Sequence, residues 1–278
     1  MNRRKFFFTL AGLGMSGAAY AHYFEPEWFE TSHHQAKLPR HNLSAPIRLL
    51  HLSDFHFSGV VPLSLIDEAI GIGLGLRPDL ICITGDFVTK LIPNRNDYCK
   101  VLRKLSDAAP SFASLGNHDG GHWVFPRGGF EDVTEISTLL ADSGIQCLNN
   151  SSQVVPVHLQ RLLLTGLGDL WAQKFDVTRA FGGENANLHV PRIVLSHNPD
   201  TKDLLVQNDW DLMLSGHTHG GQIELPFFGT PFAPIRDRRF VKGLHKWNKR
   251  LIHVSKGVGS VFGIRINCRP EVSLITLT

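Results

Sequence analysis

Short polar motifs set at the ends of apolar runs constrain this chain more than any other feature. They read Asp54-Phe55-His56, Gly85-Asp86, Gly116-Asn117-His118-Asp119, Ser196-His197-Asn198 and Gly216-His217-Thr218-His219. Most follow an apolar run that closes on a small residue or Gly, the pattern of a buried strand delivering a polar tip to the end of a sheet. Open α/β sheets keep their chemistry at that edge. Imidazole, carboxylate and amide without thiolate suit divalent ions such as Mn, Fe, Zn or similar better than a structural zinc. The motifs run from Asp54 to His219 and must meet at one place, so the chain between them is expected to fold as one unit.

The segments between the motifs have a rhythm. Residues 47–53 read as a strand, 62–70 start a helix, 78–84 read as a second strand, 97–108 as a helix, 111–115 as a third strand and 130–143 as an amphipathic helix. From about Ile145 the texture changes to short strands at 154–158, 161–166, 192–196, 212–215, 251–255 and 272–278, with a helix at 199–207 as the main exception. The expected fold is α/β: two half-domains, each contributing a sheet, close into one sandwich with helices outside. Hydrophobic residues make up 42% of the 278 and charged residues 19%, which permits a large core and excludes global disorder. A net charge of +3 requires no nucleic acid partner and is compatible with anionic substrates. Cys82, Cys99, Cys147 and Cys268 lie far apart with no C-x-x-C pair, so no zinc knuckle or dense disulfide framework is indicated. Their pairing is left open, and Cys82 reads as a small buried hydrophobe.

Residues 1–21 are read as a twin-arginine signal or anchor. Arg3-Arg4 stands before a Phe, a Gly/Ala-rich apolar stretch follows, and Ala19-Tyr20-Ala21 is a small-x-small ending. Export by the twin-arginine machinery to the periplasm, or to the outer face of the cytoplasmic membrane, is expected; the alternative is an inner-membrane anchor at residues 6–21. The apolar stretch is shorter than the roughly 20 residues a membrane helix needs. Residues 22–46 show no sustained period and read as a linker, in which the pair His33-His34 is not taken as a ligand. Residues 47–278 are expected to form the catalytic domain.

Cleaving a phosphate ester calls for a neutralised anion, a hydroxide at neutral pH and a stabilised leaving oxygen. Two metal ions about 3.5 to 4 Å apart supply all three if one carboxylate bridges them. Asp86, alone at the end of its strand, is the natural bridge. Asp54 and His56 alternate on an extended segment and can hold one ion together, and His217 and His219 can reach in from the opposite side. Single histidines carry no such weight, and His51, His122, His158, His189, His245 and His253 read as satisfied polar residues.

In that order the motifs resemble the calcineurin-like metallophosphoesterases, and the resemblance covers about 47–278. It implies a four-layer αββα sandwich of two mixed sheets flanked by helices, with two divalent metal ions at the sheet ends. It also implies that Asp54, His56, Asp86 and His219 hold one ion and Asp86, Asn117, His197 and His217 the other. His118 resembles the family's histidine that assists the leaving group without ligating metal. The implied activity is a phosphodiesterase that hydrolyses a phosphoester or phosphoanhydride with hydroxide from the metal pair. The motifs from Ser196 onward are closest to an exported phosphodiesterase branch, which is itself similar to UDP-2,3-diacylglucosamine pyrophosphatases of lipid A synthesis. That pyrophosphatase activity is the alternative; a catalytically silent metal-dependent scaffold is the alternative of another class.

The remaining features are weaker. Gly71, Gly73 and Gly75 lack nucleotide-loop spacing and are read as packing glycines. The stretch from Pro226 to Phe232, with the basic residues after it, reads first as a rim loop and solvated face, and second as a dock for a lipid-linked phosphate or the membrane surface. Asp119 is expected to orient a neighbouring His, and Asp169 to be a turn residue.

Overall fold

The computed structural model describes residues 17–183 and 188–278. Its centre is a pair of six-stranded sheets. The first has the order β1 (Glu30–Ala36), β12 (Glu271–Leu277), β2 (Ile47–Leu52), β3 (Leu80–Thr84), β4 (Ser111–Ser114) and β5 (Gln146–Cys147). The second has the order β10 (Gly243–Trp247), β11 (Arg250–Val254), β9 (Leu212–Ser215), β8 (Arg192–Leu195), β7 (Gln160–Gly166) and β6 (Ser151–Val157). Both sheets are mixed: β12 runs antiparallel to β2, β10 to β11 and β6 to β7, and the other pairings are parallel.

Strand alternation builds the layers. In β3, Leu80 and Cys82 enter the core between the sheets, while Ile81 and Ile83 pack beneath helices, as the period of two requires. The helices α1 (Leu63–Gly75), α2 (Arg95–Ala108) and α3 (Thr134–Asp142) cover the outer face of the first sheet. On the second sheet, α4 (Val177–Phe181) and the 3₁₀ segment Pro199–Leu205 contribute Phe181 and Leu205 to a third core with Val194, Met213 and Ile252. The expected four-layer α/β sandwich of two mixed sheets is therefore the observed architecture. A Cβ on Gly73 would lie 2.7 Å from Leu50 Cδ2, so this glycine lets α1 sit close on β2. All four cysteines are free.

Boundaries differ where side chains compete with the helix. Asn94 accepts from the Asp97 amide and starts α2 two residues before the expected point. Asp132 accepts from the Thr134 amide, which holds 130–133 outside α3. The stretch at 199–205 is 3₁₀ rather than α, with Asn198 accepting from the Asp200 amide at its start.

The reading of 22–46 as an irregular linker is corrected. Glu30–Ala36 is the edge strand β1, paired in parallel with β12 over seven residues. Its outward face is Thr31, His33 and Gln35, so an edge strand with little apolar content left no strong period to read. Upstream, Glu25 is 1% exposed and accepts from the Cys268 amide, and the Arg265 amide donates to the Ala21 carbonyl. Most of the expected signal or anchor lies outside the described residues. Among the described residues no helix is long and apolar enough to cross a membrane.

The inter-sheet core also holds charge-capable groups. Burial lowers the His51 imidazole from 6.5 to about 3. Unfolded, that ring takes up a proton near pH 6.5; folded, it resists until about pH 3. Its contribution to stability is therefore complete above pH 6.5 and declines by about 1.4 kcal/mol per pH unit below it. Urea midpoints of the metal-free protein should fall between pH 7 and pH 5, with a smaller slope in His51→Gln; equal slopes would contradict this assignment.

Candidate metal centre

The parallel strands of both sheets end at one crevice, and each polar motif occupies the loop after its strand. Asp54 and His56 follow β2, Asp86 follows β3, Asn117 and His118 follow β4, His197 follows β8, and His217 and His219 follow β9. Five of these residues have left-handed backbone: Asp54 (φ 55°), His56 (50°), Asp86 (56°), His217 (69°) and His219 (50°). Non-glycine residues held there cost on the order of 1–3 kcal/mol each and persist only where packing over-determines them. Gly216 provides part of that packing: a Cβ there would collide with Ser53 Oγ and the Asp54 carboxylate. The His217 amide donates to both Asp54 oxygens at 3.1 Å, which joins the loops of the two sheets.

Neighbours orient the imidazoles. His197 Nδ1 donates to the Thr84 carbonyl (2.6 Å) and His219 Nδ1 to the Gly259 carbonyl (3.3 Å). His56 Nδ1 donates to Thr89 Oγ1 (3.4 Å), whose own proton goes to the His56 carbonyl. In each ring Nε2 is thus the atom that faces the centre. There, His56 Nε2 and His219 Nε2 lie 3.1 Å apart, and His197 Nε2 lies 3.3 Å from His217 Nδ1. Asp86 Oδ2 is 3.4 Å from His56 Nε2 and 3.2 Å from His197 Nε2. Asp54 Oδ1 is 3.4 Å from His219 Nε2. One carboxylate oxygen of Asp86 thus faces both imidazole pairs.

Burial lowers the His56 and His217 imidazoles well below their ordinary value, so they are neutral, as ligation requires. Burial works against the Asp86 carboxylate, yet His197 and His118 beside it hold it well below its ordinary value, and it stays ionised. Asn117 Oδ1 and His217 Nε2 are buried with no partner in the protein. Facing imidazole nitrogens, the ionised Asp86 carboxylate, the Asp54 carboxyl oxygens and an orphaned amide oxygen are what a divalent ion satisfies, and the residues fit such a group. The structure brings together all eight residues singled out in the sequence.

Asp119 corrects its expected role. It accepts not from a histidine but from the backbone amides of Asp86 (2.8 Å), Phe87 (2.7 Å) and Gly116 (2.8 Å). Burial and the Asp86 charge push it up to about 8. Asp169 is the expected turn residue, accepting from the amides of Trp171 and Ala172.

Beside the centre lies a cavity of about 690 Å³. Trp123, Val124, Trp171, Phe232 and Phe262 form apolar walls, with Lys90 and Arg127 among the lining cations. The Arg127 guanidinium sits 4.0 Å over the Trp123 ring, Trp123 meets Trp171 at 4.5 Å, and Trp171 meets His217 edge-on at 4.3 Å. His118 Nδ1 donates to the Thr89 carbonyl at 2.7 Å, which leaves Nε2 for a ligand. Trp123, Trp171 and Arg265 were not legible as site residues. Trp123 and Trp171 stand in loops without a motif. Arg265 is fully buried and donates to the carbonyls of Lys256, Gly257, Gly259 and Cys268, holding the loop that backs Asp54.

Residues 47–221 match the family model described as calcineurin-like phosphoesterase. "Phosphodiesterase YaeI" of Escherichia coli (strain K12) is 42% identical over 280 residues, covering 100% of this chain and 99% of that protein. "Uncharacterized metallophosphoesterase YkuE" of Bacillus subtilis is 29% identical, covering 100% and 98%. "UDP-2,3-diacylglucosamine pyrophosphatase LpxG" of Chlamydia muridarum is 26% identical, covering 92% and 91%.

Asp119→Asn removes an acceptor from the backbone of the Asp86 loop. Metal affinity, measured by competition with a chelator, should fall roughly 10- to 100-fold; unchanged retention would show that the loop holds its shape without it.

Proposed function

The chain belongs to the calcineurin-like phosphoesterase family and is a metal-dependent phosphoester hydrolase; we propose that it is a two-ion phosphodiesterase whose ions share Asp86. The observation that supports this is the Asp86 carboxylate oxygen lying between two imidazole pairs, at 3.4 Å from His56 and 3.2 Å from His197. In this reading Asp54, His56, Asp86 and His219 hold one ion, and Asp86, Asn117, His197 and His217 the other. When bound, such ions supply hydroxide at neutral pH and neutralise the phosphate.

The chain's own residues do the rest. Lys90 and Arg127 attract the anionic diester to the cavity. The Thr89 carbonyl accepts from His118 Nδ1 and so aims Nε2 into the cavity. In the imidazolium form of the ring, Nε2–H gives its proton to the leaving oxygen as that oxygen separates from phosphorus, and the ring is left neutral. The indoles of Trp123 and Trp171 exclude water from that side and seat an apolar group of the ester. A second reading, a nucleotide-lipid pyrophosphate as substrate, is favoured by those apolar walls and by Phe227 and Phe228, which are fully or mostly exposed. The name of the Chlamydia muridarum relative describes such a pyrophosphatase.

One panel tests both readings: bis(p-nitrophenyl) phosphate, a monoester and UDP-2,3-diacylglucosamine with manganese or zinc. Turnover of the simple diester is expected. His118→Ala should keep its metal while kcat falls by about 10²- to 10⁴-fold. Absence of diester turnover with either metal sinks the diesterase proposal, and preference for the nucleotide lipid by kcat/KM selects the second reading.

The export reading rests on Arg3-Arg4 and the stretch that follows, and its destination is the periplasm or the outer face of the cytoplasmic membrane. Replacing both arginines with lysine should trap the protein inside spheroplasts, where added protease cannot reach it; unchanged protease access would remove the twin-arginine assignment.

A further inference from the structure

We infer that His34, His253 and Glu271 form an interior site for a divalent transition ion of the zinc or cobalt class, between the two sheets and apart from the crevice. Strand alternation places all three there. On β1, His34 has the parity of Ala36; on β11, His253 has that of Leu251; on β12, Glu271 has that of Ile275 and Leu277. Ala36, Leu251, Ile275 and Leu277 all belong to the inter-sheet core. One ligand atom from each of His34, His253 and Glu271 lies within 4.8 Å of the others.

Hydrogen bonding dictates which atom His253 presents. Thr84 Oγ1 gives its proton to Ser53 Oγ (2.9 Å), so it must accept from His51 Nε2 (2.9 Å). His51 Nδ1 then carries no proton and accepts from His253 Nδ1 (2.8 Å). The neutral His253 ring is left with a bare Nε2 lone pair, fully buried and without a partner. His34 Nε2 is also buried and unpartnered, and the two rings lie 4.7 Å apart edge to face. A bare imidazole nitrogen in a dry core costs free energy unless something donates to it.

The surroundings suit a cation. Glu271 is 3% exposed and accepts from the Lys256 amide through one oxygen, Oε2. The Lys256 ammonium is neutralised by Glu30 at 2.7 Å. Two imidazoles and one carboxylate, with no thiolate, select a zinc-class ion over calcium or magnesium, and leave a coordination position open. The half-buried His34 lies on edge strand β1 and offers the path in. An ion there joins β1 and β12 of one sheet to β11 of the other, and must stabilise the fold because the site does not exist when unfolded.

The test counts metal in the untagged full chain, stripped and reloaded with zinc, by mass spectrometry. His34→Gln should hold one equivalent fewer than the parent while hydrolysing diester at the parental rate with manganese. Asp86→Asn, deficient at the crevice, should retain a cobalt absorption band that disappears when His34→Gln is added, and zinc should raise the Tm of Asp86→Asn but not of the double variant. Glu271→Gln, which keeps an oxygen for the Lys256 amide, repeats the count should His34→Gln fail to fold. Parental stoichiometry in the folded variant overturns the site. Because the count compares variants at the interior cluster, it stands or falls separately from the activity at the crevice.

Discussion

The Asp119 carboxylate accepts three backbone amides, from Asp86, Phe87 and Gly116, and so ties the loop after β3 to the loop after β4. With that tie in place, Asp86 takes up a left-handed backbone that free peptide disfavours, and its side chain reaches between imidazoles from both sheets. Its other oxygen accepts the His118 amide at 2.9 Å. Candidate ligand and candidate proton donor are therefore placed by one buried network. Desolvation makes the network costly if incomplete, since each unpaired buried group pays in full.

Thr84, the last residue of β3, is the junction between crevice and interior. Its carbonyl accepts from His197 Nδ1 and Ser53 Oγ, and its hydroxyl accepts from His51. The proton positions in two groups of histidines thus depend on one residue. Arg265 plays the corresponding part for the C-terminal loop: it saturates four carbonyls, and the amides of Val258 and Gly259 in turn donate to the carbonyls of Ser53 and Asp54.

The strands at 80–84 and 212–215 were legible because each is a short apolar run closing on a small or polar residue. The loop that follows each such strand is where a parallel sheet presents side chains to a ligand. Edge strand β1 was not legible, because one face meets solvent and the other carries Glu30, Ser32 and His34, with Ala36 its one apolar residue. The starts of α2 and α3 shifted because the Asn94 and Asp132 side chains accept from nearby backbone amides. Trp123 and Trp171 were invisible because a loop aromatic has no period; only the folded chain shows that they line up from Arg127 to His217.

By itself the sequence determined the kinds of candidate ligating group, their order and their places after strands, since those follow from residue chemistry and from apolar runs that end at the polar motifs. The extended alternation expected of Asp54 with His56 and of His217 with His219 did not hold, because all four have left-handed loop backbone. Once the folded chain shows β1 and the true start of β12, strand parity turns His34, His51, His253 and Glu271 inward. Tertiary structure decided which nitrogen of each ring faces the centre, that Asp119 serves the backbone rather than a histidine, and that His34 meets His253 across the sheets. Those outcomes depend on partners far apart in the chain: the Asp86 amide reaches Asp119 across 33 positions, His197 reaches Thr84 across 113, and His34 meets His253 as a ring contact between two sheets, and no local pattern encodes such partners.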